Sequence, residues 1–179
     1  MRAAIAVVML SLLALGPAAS EGCGDKFQRV GRGARFQRGY VALHPACILL
    51  YARPQSPIAK ALKDLEPALK RAGHLPLLVE QPEGLAPALK TGHYNVVLTD
   101  LAEIATVEAQ ARVAAVPSPS VLPVLYRPTR ELKASVEAQY SCLVESPGKQ
   151  VDVLAEIDGL MERKFKDGLA LPPPPPKKK

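Results

Sequence analysis

Apolar and polar positions alternate along the central part of the chain in blocks that predict strands and helices in turn. Short apolar runs bounded by turn residues are typical of buried parallel strands, and they lie at 47–51, 75–80, 94–99, 121–126 and 141–144. Apolar residues at helical spacing follow each run, in stretches at 57–72, 84–91, 101–112, 129–138 and 151–165. Because each parallel crossover needs a covering helix, the pattern predicts a three-layer, doubly wound α/β domain with a five-stranded parallel sheet.

Local signals set the ends of the first helix. Ser56 is its predicted N-cap, with Pro57 at the first helical position, and Gly73 ends it. Pro67 lies inside this helix, where we expect it to bend or split the helix. Residues 113–116 allow either a short strand or the approach to the loop at 117–120.

The first 20 residues predict a cleaved export signal. Arg2 supplies a positive charge, residues 3–15 form a run that is apolar except for Ser11, and Ala18 and Ser20 are the small residues that a signal peptidase needs at −3 and −1. The apolar run is shorter than the roughly 20 residues of a membrane span. We therefore expect a periplasmic or secreted mature chain without a transmembrane helix.

The segments that flank the predicted domain (46–167) differ from it in composition. Residues 21–45 form a basic, Gly-rich extension, and residues 168–179 form a Pro- and Lys-rich tail with no capacity to build a core. Four arginines of the extension lie three residues apart: Arg29, Arg32, Arg35 and Arg38. They indicate either a site for an anion or acidic partner, since arginine supplies bidentate donors, or a solvated basic strand, which we favour.

Charge and composition narrow the classes of partner. The formal net charge is +6, but three of the positive charges are the terminal lysines 177–179, so the body is close to neutral and no nucleic-acid partner is expected. With no Trp and 4% aromatic residues, the core must consist mainly of Leu, Val, Ile and Ala.

The three cysteines all lie in the exported part. An oxidising compartment permits one disulfide and leaves one cysteine over, and the pairing stays open. Cys47 and Cys142 start predicted strands and are expected to be buried. Residues 20–23 partly match a lipobox, so a lipid anchor at Cys23 is the less favoured alternative. The cysteines and histidines show no zinc spacing, and no metal or cofactor is expected.

Two segments resemble response-regulator receiver domains. YNVVLTDLAEI (94–104) resembles the third strand and following turn of that family, where the strand ends in the aspartate that accepts phosphate. ESPGKQVDVLAEIDGLMERK (145–164) is similar to the fifth strand and last helix, where a Lys-Pro pair opens the final loop. The resemblance spans residues 46–165 and implies a flavodoxin-like fold.

Carried over residue by residue, the resemblance implies a degenerate receiver. Asp100 matches the phospho-acceptor position, whereas the acidic pair that holds magnesium in the family falls near Ala52 and Arg53. The family's lysine falls on Ser146, and its hydroxyl residue falls near Thr129. An arginine repels a divalent cation instead of ligating it. We therefore expect Asp100 to cap the helix that follows it.

Ligands of open parallel sheets bind outside the carboxyl ends of the strands, where the strand order reverses. We expect that crevice to gather three arginines, one carboxylate and two further polar side chains: Arg53, Gln55, Asp100, Arg127, Thr129 and Arg130. This set suits a small anion. The competing interpretation is a closed edge in which Arg53 pairs with Asp100.

Three functions follow, in order of preference. The first is an exported, non-catalytic receiver-like module that acts as an interaction or assembly partner in the bacterial envelope. The second is a periplasmic protein that binds a small anion such as phosphate or a phosphonate. An enzyme is third, because the chain contains no GxSxG, HExxH, P-loop or GxGxxG motif.

Overall fold

The computed structural model describes residues 39–91, 93–114 and 118–169. Several predicted features lie outside the described residues: the export signal, the four arginines of the extension, Cys23 and all but the first two residues of the tail. Residues 40–45, which the sequence assigns to the extension, already contact the domain. The Ala42 amide, for example, donates to the Ala72 carbonyl at 2.8 Å.

Five parallel strands form a single sheet in the order β2-β1-β3-β4-β5, and the fold is flavodoxin-like, as predicted. The strands are β1 (Cys47–Tyr51), β2 (Leu75–Val79), β3 (Val96–Asp100), β4 (Ser120–Tyr126) and β5 (Val144–Ser146). The chain runs from β1 outward to β2 and returns to β3 on the other side of β1. The order therefore reverses between β1 and β3, which places a crevice at their carboxyl ends.

Helices cover both faces of the sheet. They are α1 (Ala59–Ala72), α2 (Pro82–Thr91), α3 (Ile104–Ala114), α4 (Arg130–Glu137) and α5 (Gln150–Lys166), and a 3-10 turn (Leu101–Glu103) precedes α3. One core cluster joins β1, β3, β4 and β5 to α1 and α5, and a second joins β1 and β3 to α2 and α3. Because both faces of β1 are covered, all five of its residues are buried. No helix of the described residues is long and apolar enough to span a membrane.

The start of α1 differs from the prediction. Ser56 is not its N-cap, because the helix begins only at Ala59, after Ile58. The Ser56 hydroxyl instead accepts the Ile58 N–H at 3.3 Å and donates to the Asp100 carboxylate. Gly73 ends the helix as predicted, with a left-handed φ of 96°.

Pro67 does not split α1. The helix continues from Ala59 to Ala72, and Pro67 lies on its exposed side. Buried residues precede and follow the proline, among them Leu62, Leu65, Ala68 and Leu69. Because burial of the flanking side chains stabilises both halves, tertiary packing outweighs the missing backbone hydrogen bond.

The last strand lies further along the chain than predicted. The sequence predicts a strand at 141–144, whereas β5 spans Val144–Ser146 and pairs only with the last three residues of β4. Cys142 is buried just before β5, so its apolar character marks packing and not strand pairing. Residues 113 and 114 belong to the end of α3 and not to a strand, and residues 115–117 lie outside the described part of the chain.

Asn95 joins the amino ends of three strands to the last helix. Its side-chain Oδ1 accepts the Cys47 N–H at 2.9 Å, and its own N–H donates to the Cys47 carbonyl at 2.9 Å. The Asn95 carbonyl accepts both the Ser120 N–H, at 3.0 Å, and Lys164 Nζ, at 2.9 Å. One buried residue therefore sets the positions of β1, β3 and β4 and holds α5 against them.

Pro76 lies in β2, an outer strand of the sheet. The Leu75 N–H donates to the Ala46 carbonyl at 2.9 Å, toward β1. Successive N–H groups of a strand point to alternate sides, so position 76 faces away from the sheet, where proline carries no N–H. The outer side of β2 therefore lacks one of the donors that an added strand would need.

A buried polar cluster ties the segment before β1 to the domain. The Tyr40 hydroxyl donates to the Asp158 carboxylate, and the Ala46 N–H donates to His74 Nδ1 at 3.2 Å. His74 Nε2 and Asp158 Oδ1 are buried without hydrogen-bond partners among the described residues. Burial lowers the pKa of His74, although the nearby Asp158 opposes this shift.

We expect Asn95→Ala to lower the free energy of unfolding by about 1–3 kcal/mol, because it leaves the Cys47 N–H buried and unpaired. Urea denaturation followed by circular dichroism measures the change. The matched control is Gln139→Ala, at an exposed position, which we expect to change stability by less than about 0.5 kcal/mol. Equal effects of the two substitutions would contradict the role given to Asn95.

We expect the protein to lose stability as the pH falls from 7 toward 5, in part through His74. Its pKa in the folded state is below the unfolded value of about 6.5, so in this window the unfolded chain binds more protons and stability rises with pH. Urea titrations across this range test it. His74→Leu should flatten the dependence, whereas His93→Leu, at an exposed position, should retain it.

Candidate functional site

The carboxyl edge of the sheet brings together the elements that carry the predicted site. Arg53 and Gln55 follow β1, Asp100 ends β3, and Arg127 follows β4. Thr129 and Arg130 begin α4. The parallel topology thus places these six residues at one edge, while the local contacts of each side chain decide what it can offer to a ligand.

Asp100 is engaged by its own protein on both carboxylate oxygens. Oδ1 accepts the Ala102 N–H at 3.2 Å, which makes Asp100 the N-cap of the 3-10 turn and confirms its predicted capping role. Oδ2 accepts the Ser56 hydroxyl. No signal in the sequence indicates this second contact, because Ser56 lies where a cap of its own helix is expected.

Arg53 pairs with Glu103 and not with Asp100, so the expectation of an Arg53–Asp100 pair is wrong. Arg53 Nη2 lies 3.0 Å from Glu103 Oε2. A hydrogen bond with the Tyr51 side chain and the charge of Glu103 raise the pKa of Arg53. Glu103 reaches Arg53 because the 3-10 turn follows β3 directly, beside β1. An ion pair this exposed contributes little to stability.

The remaining predicted residues lie along the same edge with separate contacts. The Thr129 hydroxyl caps α4 by accepting the Leu132 N–H at 3.2 Å. Arg127 has a left-handed φ of 45°, its N–H donates to the Ser146 carbonyl at 2.7 Å, and its guanidinium lies 5.3 Å from the centre of the Tyr126 ring. Gln55 and Arg130 are exposed. A ligand-binding role for the six residues stays a prediction.

The residues at this edge do not fit the magnesium ion that receiver domains hold. The positions of the acidic pair carry Ala52, which is buried, and Arg53, which is a cation. Ser146, at the lysine position, is buried and joined to Pro147 by a cis peptide bond. Among the described residues, no group of three or more His, Cys, Asp or Glu side chains could hold a metal ion. Magnesium needs carboxylate oxygens. Of the positions that are acidic in the receiver family, only position 100 carries a carboxylate in this chain.

A groove lies between α4 and α5, outside β5. Its cavity measures about 370 Å³ and has the buried residues Cys142, Val144 and Val153 in its lining. Charged side chains share that lining: Lys133 lies 2.6 Å from Glu145 and 3.7 Å from Glu137. The sequence did not indicate this groove, because its residues come from three separate elements.

The thiol of Cys142 lies in the lining of this groove and contacts Arg163. Arg163 Nη2 donates to Cys142 Sγ. Burial raises the pKa of Cys142, although the charge of Arg163 opposes this shift. Cys47 and Cys142 are both free and buried, so their predicted burial is confirmed. A cysteine whose thiol form is favoured fits a packing role better than a nucleophilic one.

Comparison with known proteins yields a likeness at the level of structure. No protein-family model matches the chain, and no curated protein matches it. Among solved structures, the pilus assembly protein CpaE from Caulobacter crescentus is similar with a TM-score of 0.48 and 12% sequence identity, over 67% of this chain and 96% of that chain. The flavodoxin-like fold rests on this chain's own strand order and pairing.

We expect Asp100→Ala to lower the free energy of unfolding by about 1–2 kcal/mol, because it removes a cap and leaves the Ser56 hydroxyl without its acceptor. Asp100→Asn should cost less, since asparagine is also a good N-cap. Thermal and urea denaturation measure both variants. An Asp100→Ala protein as stable as the wild type would show that these contacts do not hold the turn.

Proposed function

We propose that the protein is an exported, receiver-like module that acts as a non-catalytic interaction or assembly partner in the bacterial envelope. The observation that carries the proposal is the state of the carboxyl edge. Asp100 is engaged by Ser56 and Ala102, and the positions of the metal-binding pair hold Ala52 and Arg53. A domain with the receiver's shape but without its electrophile acts through its surface.

Export is supported by the amino-terminal sequence. Residues 3–15 are apolar except for Ser11 and follow Arg2, and the small residues Ala18 and Ser20 precede the expected cleavage point. Phosphate donors and the kinases of phosphorelays act in the cytoplasm, so an exported domain has no use for phosphorylation of Asp100. The proposed export and the missing magnesium ligands therefore both argue against phosphorylation of Asp100.

The groove between α4 and α5 is the face that we assign to the partner. Its lining combines buried apolar residues with a rim of both charge signs, including Lys133 and Glu145. Such a mixture resembles an interface, in which an apolar centre is surrounded by polar residues. The carboxyl edge offers less to a small anion, because Arg53 is paired with Glu103 and Thr129 caps α4.

The test is site-specific photo-crosslinking in cells. A crosslinker at position 137, on the rim of the groove, should give a discrete protein adduct in the envelope fraction. The chain in that adduct should have lost residues 1–20 by cleavage in the cell. Lys90, exposed at the end of α2, is the matched control and should give none, because α2 packs against β2, at the edge of the sheet opposite to β5. Lys133→Glu should weaken the adduct, since it places like charges beside Glu145.

Each part of the proposal has its own contradicting result. An uncleaved chain in the cytoplasm would refute export, and equal adducts at Glu137 and Lys90 would refute the assigned face. Millimolar magnesium that raises the melting temperature by several degrees would refute the non-catalytic assignment, because such a shift requires a metal site that the folded state binds.

A further inference from the structure

A second cavity lies at the opposite, amino edge of the sheet, between the start of β4 and the end of α5. It measures about 460 Å³, within the range of small-molecule sites. Six of its eight lining residues are polar or charged, namely Ser118, Ser120, Ser141, Arg163, Lys164 and Asp167. None of these residues belongs to the carboxyl edge, so the cavity is a separate feature of the domain.

Lys164 is the unusual residue of this cavity. Lys164 is only 8% exposed, and its Nζ donates to the Asn95 carbonyl at 2.9 Å. An ammonium group carries three donors, so this bond leaves further donors. Among the described residues, no carboxylate forms an ion pair with Lys164.

A buried ammonium without a counter-ion is costly. Burial alone lowers the pKa of Lys164, and no neighbouring charge offsets it. Lysine is almost never buried unless it is paired, and a bound anion would supply the missing charge. The position is also fixed, because the acceptor of Lys164 is the carbonyl of Asn95, which joins β3 to β4.

The other side chains of the cavity extend the set of donors. Arg163 uses one of its nitrogens on Cys142 Sγ, and a guanidinium has five N–H donors in all. Serine hydroxyls come from Ser120, at the start of β4, and from Ser118 before it. Two cations thus face one carboxylate, that of Asp167, and the lining carries a net positive charge.

We propose that this cavity binds a phosphate group, either as inorganic phosphate or as the monoester of a small molecule, with Lys164 as its central ligand. A tetrahedral oxyanion offers several acceptor oxygens, which suits donors that arrive from β4 on one side and α5 on the other. This site goes beyond the proposed partner role, because its lining shares only Ser141 with the lining of the groove.

The test is calorimetric titration of the full chain with inorganic phosphate and with glycerol 3-phosphate. We expect saturable binding at one site, and Lys164→Met should weaken it at least about tenfold, the loss that follows removal of a charge-assisted hydrogen bond. Lys166→Met is the matched control, since Lys166 is exposed and pairs with Glu162 at 2.9 Å. Its affinity should equal that of the wild type.

A second variant tests the phosphate site if Lys164→Met fails to fold. Ser120→Ala removes one hydroxyl from the cavity. In the wild-type protein, the amide chemical shifts of Ser120 and Lys164 report binding directly. Tighter binding of glycerol 3-phosphate would identify a monoester, and tighter binding of inorganic phosphate the free ion; both support the site. No heat and no shift in the wild type would overturn it, as would an equal loss in Lys164→Met and Lys166→Met.

Discussion

Asn95 is the constraint on which the rest of the domain depends. Its side chain and backbone bond to both the N–H and the carbonyl of Cys47, and its carbonyl receives donors from Ser120 and Lys164. The register of β1 against β3 and of β3 against β4 is therefore fixed at the amino edge, where the strands begin. At the other end the same register brings Tyr51, Asp100 and Tyr126 to one edge. The relative positions of the strands at the amino and carboxyl edges thus follow from one buried residue.

The fold could be predicted from sequence because its three central strands, β1, β3 and β4, are mostly buried on both faces. β1 and β4 appear as continuous apolar runs, and each is followed by residues at helical spacing, so the order of elements was evident. The errors lie where tertiary contacts override local signals. Ser56 has the chemistry of an N-cap, yet its hydroxyl bonds to Asp100 from a loop. β5 begins later in the chain than predicted, because Cys142 is buried by packing and does not pair with β4.

The candidate site could be predicted in position but not in its contacts. Parallel topology alone brings Arg53 and Asp100 to the same edge, while their partners, Glu103 and Ser56, depend on turn geometry that a linear pattern does not contain. The outcome is an edge at which Arg53 and Asp100 are both engaged within the chain. At the amino edge the reverse holds: Lys164 looks like an ordinary member of a basic helix end, and only its burial distinguishes it.

Pro76 bears on how this protein behaves at high concentration. An outer strand with exposed leucines such as Leu75 and Leu77 is a template on which further copies could stack edge to edge. The missing backbone donor interrupts that template at the second of its five residues, and the opposite border of the sheet is only three residues long. Both features oppose edge-to-edge stacking, so they protect concentrated copies of this domain from polymerising into fibrils.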